Sequence, residues 1–146
     1  MRISSRGEYG LRALFDLAQH HNSAPIPGGD IAARQQIPEP YLNQLLLALR
    51  QAGLVRSVRG PQGGYALARR PASITLAEAV IALEGTYAPA EDLDPPSPPG
   101  TPPEAEILRE IWRQVEAAIG EVLKSITLEE LCQRKLAREQ QIMYYI

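Results

Sequence analysis

At 146 residues the chain has room for one ordinary core, or for a small domain with an appendage, but not for a second enzyme-sized domain. Polar and charged residues around Arg2, Arg6 and Glu8 exclude a secretory leader, no apolar run reaches membrane-spanning length, and the single cysteine, Cys132, excludes an internal disulfide framework or a multi-thiolate metal site within one chain; a cytoplasmic protein with no membrane partner is expected. The net charge of -2 hides two unlike halves, because residues 1–70 carry nine arginines against four carboxylates, a surplus of +5, whereas residues 71–146 stand at -7.

In chain order, Ser5-Arg6-Gly7-Glu8 has the Ser-x-x-Glu form of a capping box and predicts a helix start. Its apolar stripe is Leu11, Leu14, Phe15 and Ala18, at helical spacing. Pro25 to Gly29 breaks the chain, and a short helix is expected from about Asp30 to Gln35, with Ile31 and Ala32 as its apolar contacts. Ile37-Pro38-Glu39-Pro40 feeds a third helix, from about Pro40 to Ala52, since proline is tolerated only in a first turn. Leu42, Leu45, Leu46 and Leu49 form its buried stripe and Gly53 ends it, while Pro40, Gln44, Leu47 and Gln51 lie opposite with Asn43 at the fringe.

Leu54 to Arg59 and Tyr65 to Ala68 read as two strands around a five-residue turn, Gly60-Pro61-Gln62-Gly63-Gly64. A fourth helix is signalled around Ser73 to Glu78, with Leu76, Val80 and Leu83 on one side and Gly85 at its end. Residues 86–103, with seven prolines and the acids Glu91, Asp92 and Asp94, read as a Pro-rich acidic linker, disordered for want of core-forming residues. From Glu104 onward Leu108, Trp112, Val115, Ile119, Val122 and Ile126 are spaced 4, 3, 4, 3, 4, the seam of a coiled coil. A last helix begins near Thr127 with Leu128 and Leu131 apolar.

Helix, short helix, proline turn, glutamine-bearing helix and arginine-tipped hairpin make the plan of a winged helix-turn-helix in residues 1–85. The fold class expected is mainly α with a small β-hairpin wing, followed by the linker at 86–103 and a dimerisation helix with a C-terminal helix at 104–146. A basic half made wholly of arginine suits double-stranded DNA, because guanidinium groups fork onto phosphates and enter narrow grooves. The third helix would enter the major groove, where Asn43 and Gln44 can each form paired bonds to adenine, unless they are merely solvated amides. Tyr41 either contacts a phosphate or covers the edge of the core. At the hairpin, Gly60, Pro61, Gly63 and Gly64 bring backbone close to a phosphate or groove wall, and Arg59 supplies the charge that a narrow minor groove attracts. Arg56 reads as a phosphate contact or as solvated surface; Arg2, Arg6 and Arg12 as further phosphate contacts or neutral surface. The seam at Leu108 to Ile126 would pair two copies into a homodimer, giving a palindromic operator.

These residues identify a resemblance. Met1 to Tyr9, Tyr41-Leu42-Asn43-Gln44-Leu45, Gly53 to Tyr65 with its Arg-Gly-Pro-x-Gly-Gly-Tyr wing, and Ile126-Thr127-Leu128 closely resemble the Rrf2 family of bacterial winged-helix regulators, whose members include iron-sulfur, nitric oxide and cysteine-metabolism regulators. The resemblance implies a homodimer crossed through the long helix with each wing in a minor groove. Members that sense through an iron-sulfur cluster carry three cysteines between the fourth helix and the dimerisation helix; here residues 86–103 hold neither cysteine nor histidine. Arg109 falls where a cluster member offers a histidine, and a guanidinium has no lone pair for a metal. No cofactor and no metal ligand is therefore expected. Glu8 falls where some members lend a carboxylate ligand, and capping explains it without one. Asn43 replaces a glutamate that discriminates between bases in one member, so the operator should lose a preference for cytosine.

Cys132 leaves a second functional reading, a redox- or metal-responsive regulator, since Arg134 and Lys135 would lower a thiol pKa; the alternative for the cysteine is a small apolar filler. A third reading is a winged-helix module for protein assembly. An enzyme is not expected, because His20 and His21 lie together at the polar end of a helix without a nucleophile or paired carboxylates, and Gly60 to Gly64 lacks the Lys-Ser/Thr of a phosphate loop.

Overall fold

Ser4 rather than Ser5 starts the first helix. The computed structural model describes residues 2–90, 93 and 95–144, and in it Ser4 takes an extended backbone and its hydroxyl accepts from the Gly7 N–H, so that helix α1 runs Ser5–Gln19. The cap is displaced by one residue and no reciprocal box forms, because the Ser4 N–H and hydroxyl both donate to Glu84 Oε1, at 3.1 and 2.5 Å. That contact crosses 80 residues of chain, and Glu8 is left exposed. The buried face of α1 is also rotated from the expected stripe: Gly7, Gly10, Ala13, Leu14, Leu17 and Ala18 are buried, whereas Leu11 and Phe15 are only half-buried. Gly10 allows this rotation, since a Cβ there would overlap the methyl groups of Leu83.

Helix α2 spans Gly28–Gln35 and begins two residues earlier than expected, behind Pro27. Gln36 closes it in the left-handed conformation, with φ at 55°. Helix α3 spans Glu39–Gln51 with Pro40 in its first turn, where a missing N–H costs nothing. Leu42, Leu45, Leu46 and Leu49 are all at 0% exposure and meet Leu14, Leu17, Ile31 and Leu54 in one core. Full burial of each such leucine contributes about 1.5–3 kcal/mol.

The hairpin consists of β1, Val55–Val58, and β2, Gly64–Leu67, antiparallel with Val55 opposite Leu67 and Val58 opposite Gly64. Gly64 thus lies in the strand and not in the turn. Its role differs as well: Tyr65 exchanges backbone hydrogen bonds of 2.8 and 2.7 Å with Ile26, and a Cβ on Gly64 would strike the Ile26 carbonyl. Gly64 therefore serves this internal bridge, which ties the wing to the α1–α2 connection.

After a 3-10 turn at Pro71–Ser73, helix α4 spans Leu76–Glu84, capped by a reciprocal box between Thr75 and Glu78 and ended by left-handed Gly85. Val80 and Leu83 are buried as expected, and Leu76 is half-buried. Among its described residues the Pro-rich segment forms no helix or strand before Pro103, yet it is anchored at one point. Leu93 is buried, and its carbonyl accepts from Arg113 at 2.9 Å and Arg109 at 3.3 Å, while Arg109 also donates to Pro95 O at 2.5 Å. Glu91, Asp92 and Asp94 lie outside the described residues.

Helix α5 spans Pro103–Ser125. Ile126, expected as the last seam position, leaves the helix in an extended conformation, and its carbonyl accepts from the Leu76 N–H at 2.9 Å. The Leu128 N–H in turn donates to Ile74 O at 3.0 Å. Backbone pairing with the start of α4, which periodicity does not encode, ends the seam at Val122. Helix α6, Leu128–Tyr144, returns to the N-terminal domain: Leu128 is at 0% exposure within the main core, and Leu131 and Cys132 pack against it. Of the two helices in 104–146, α6 packs on α1 and α5 carries the exposed apolar face.

Candidate nucleic-acid interface

The burial of four leucines fixes the rotation of α3, and that rotation puts Pro40, Asn43, Gln44, Leu47 and Gln51 on its exposed side. The amides of Asn43 and Gln44 stand on one solvent-facing surface, as groove readout requires. Tyr41 is half-buried, and its ring meets the edge of Tyr9 at 5.8 Å with planes 84° apart. Of its two expected roles, covering the core edge is the one the contacts display.

At the wing, Gly60 has φ of 112°, open to glycine and rarely to other residues, and its carbonyl accepts from the Gly63 N–H at 3.0 Å. This tight loop projects Arg59 and Pro61, both exposed. Among the described residues Arg59, Arg56 and Arg2 are exposed and have no hydrogen-bond or ion-pair partner, so their charge is available to a polyanion.

Other arginines of the basic half are tied internally. Arg6 Nε donates to Leu83 O at 2.9 Å, and Arg12 donates to Gln35 O while lying 4.9 Å from the Tyr9 ring centroid. Arg69 pairs with Glu78 at 2.7 Å. Arg6 and Arg12, read from sequence as phosphate contacts or neutral surface, join helices instead. Arg50, given no role by the sequence, donates to Ser57 Oγ at 3.1 Å and links the reading helix to the wing.

Sequence reasoning also missed Asp16, a carboxylate at 1% exposure. Arg34 grips it with Nε and a terminal nitrogen at 2.9 and 2.8 Å, and Gln35 adds a bond of 3.0 Å, which locks α1 to α2. Burial alone would raise the Asp16 pKa, but the hydrogen bonds from Arg34 and Gln35 and the Arg34 charge outweigh it and hold the carboxyl below its ordinary value. The available signal was an acid set inside an apolar face, next to Leu14 and Leu17.

On α5, Leu108, Trp112, Val115 and Val122 form an exposed row flanked by Ile107 and Ile111, and Ile119 is half-buried. Leu108 at 53% and Val122 at 59% exposure show how little of this face the chain itself covers. Cys132 is half-buried, and burial, with Glu129 adding to it and Lys135 opposing, pushes its thiol pKa up. The lowering expected from Arg134 and Lys135 does not occur, since desolvation dominates and Arg134 pairs with Glu130 at 3.0 Å.

A tri-helical head with a bridged wing, amides on the third helix and free arginines at the wing defines a winged helix-turn-helix regulator. A family model described as "Iron-dependent Transcriptional regulator" matches residues 3–134. The chain belongs to this family, Rrf2, and is a DNA-binding transcriptional regulator and not an enzyme. It is 38% identical to the HTH-type transcriptional regulator CymR of Bacillus subtilis over 146 residues, the full length of both chains. It is also 38% identical to IscR of Photorhabdus laumondii over 135 residues, 90% of this chain and 79% of that protein. Among solved structures, that of B. subtilis CymR, described as a global cysteine regulator, superposes with a TM-score of 0.77 over 92% of this chain and 98% of the other, at 38% identity. T. potens IscR gives 0.73 over 92% and 88%, at 39% identity. Among the described residues no helix is long and apolar enough to cross a membrane.

The donor set does not fit the iron that the family description names, nor the cluster that the resemblance in sequence brings into question. Residues 86–103 contain no thiol or imidazole, Arg109 spends its guanidinium on the Leu93 and Pro95 carbonyls, and Cys132 is on α6. Among the described residues no three His, Cys, Asp or Glu side chains are grouped to hold a metal.

Proposed function

We propose that the protein acts in the cytoplasm as a homodimer on a palindromic operator, without an iron-sulfur cluster. The observation that carries this reading is the exposed apolar row of α5, on a chain whose reading surface is a single winged helix. Pairing two such rows would remove Leu108, Trp112, Val115, Ile119 and Val122 from water and set two α3 helices for successive half-sites. In each half-site Asn43 and Gln44 face base edges, Arg59 with Gly60 and Pro61 enters the adjacent minor groove, and Arg56 and Arg2 meet phosphates. Tyr41 holds α3 against α1 through Tyr9. The neutral amide of Asn43 suits adenine. A half-buried thiol whose pKa is raised holds little thiolate at neutral pH, which disfavours Cys132 as a redox sensor.

The test is selection of bound sequences from a random DNA library with the purified full chain, followed by affinity and salt dependence on the selected site for wild type and Arg59→Ala. A palindromic consensus is expected, with the variant weakened about tenfold or more and its salt slope reduced by about 1. Unchanged affinity and slope in the variant would remove the wing from the interface. An asymmetric single site bound by one chain would remove the dimer.

A further inference from the structure

A second site opens on the side of the molecule formed by the end of α1, the exit of β2, the turn at Pro71–Ser73 and α6. These elements enclose a cleft of about 930 Å³, a size suited to a small organic molecule. Leu67, Pro71, Leu136 and Cys132 give it apolar walls. Its ionic groups differ sharply in availability. Arg69 is held by Glu78 at 2.7 Å, and Lys135 lies 2.5 Å from Gln19 Oε1 and 3.5 Å from Glu139. Arg70 lines the cleft, is exposed, and has no side-chain partner among the described residues. On the α6 wall Glu139 is offset by Lys135, which leaves Glu129 as the carboxylate that repels a polyanion, and His21 on the α1 side is bonded through Nδ1 to Ala18 O.

One available guanidinium over apolar walls, opposed by the Glu129 carboxylate, selects a single negative charge on an apolar body, and the planar fork of arginine matches a carboxylate. From this arrangement we infer that the cleft is a binding site for an apolar organic monocarboxylate, with Arg70 as its anchor. If the protein is the operator-binding regulator proposed above, this is an effector site, because Leu67 in its wall belongs to the strand of the wing and pairs with Val55. A ligand acts there by binding one position of the wing better than another.

The experiment titrates the full-length protein with 1-pyrenebutyrate and with the uncharged 1-pyrenebutanol, reading pyrene fluorescence, and follows alkylation of Cys132 by iodoacetamide. The acid is expected to bind at least about tenfold more tightly than the alcohol, a margin typical of a charge-assisted hydrogen bond. Arg70→Ala should abolish that margin and Arg70→Lys should restore part of it, while the saturating acid slows alkylation several-fold. Equal affinities for acid and alcohol, or a margin that survives Arg70→Ala, would overturn the assignment. So would acid binding that leaves alkylation unchanged, since the probe would then lie on the open face of α5. Operator affinity without ligand is measured separately: protein that binds DNA but not the acid refutes the cleft alone, and protein that binds the acid beside Cys132 but no DNA refutes the regulator reading alone.

Discussion

Helices α3 and α5 carry apolar stripes of similar regularity and meet opposite fates. The leucines of α3 are wholly buried by α1, α2 and α4, leaving its amides in water. On α5 the apolar row is in water, and its other side takes up the Leu93 carbonyl through Arg109 and Arg113 and receives Tyr87 against Gly120. An apolar stripe states that a helix needs a partner. Whether the partner belongs to the same chain depends on where the rest of the chain is. For α3 it lies within the first 85 residues; for α5 the exposed row has no cover within the described residues, and a second copy is the partner proposed for it.

That contrast is open to breakage at each end. The largest effect is expected at Leu45→Ala, which leaves a cavity in the head and should cost about 2–5 kcal/mol in urea unfolding, independent of protein concentration. Trp112→Glu should act on association instead, weakening the dimer by at least about thirtyfold in sedimentation equilibrium, as loss of a central aromatic anchor does, while each chain keeps its far-ultraviolet dichroism. Monomeric wild-type protein would erase the contrast.

Asp16→Asn should cost about 1–3 kcal/mol near neutral pH, since a charge-assisted pair becomes a neutral one in a buried place. The folded pKa of Asp16 is depressed, so its contribution is fully present above the unfolded value near pH 4 and is lost as pH falls through the folded value. Stability curves of wild type and variant should therefore converge below about pH 4. The smallest effect is expected at Arg50→Ala, which frees the wing from α3 and should change stability by less than about 1 kcal/mol and operator affinity by a few-fold.

Local chemistry was legible where neighbours in sequence are neighbours in space. Pro40 opens α3, Gly53 and Gly85 stop their helices, and the leucine stripe of α3 is buried at each position, because φ preference and helical period act within one or two turns. The turn at Gly60 and the exposure of Arg59 beside it were legible for the same reason. Contacts between distant segments decided the rest. Ser4 displaced Ser5 as cap because Glu84 reaches it, and Gly64 became a strand residue because Ile26 lies behind it. Ile126 left the seam to pair with Leu76, and Asp16, Arg6, Arg12 and Arg34 were drawn into links between helices that composition registers only as charge. A hydrogen-bonding group binds whatever partner the fold brings within about 3 Å. The sequence by itself therefore determined the order of the elements and the character of their faces, and tertiary structure decided which arginines are tied internally and which apolar face is left in water.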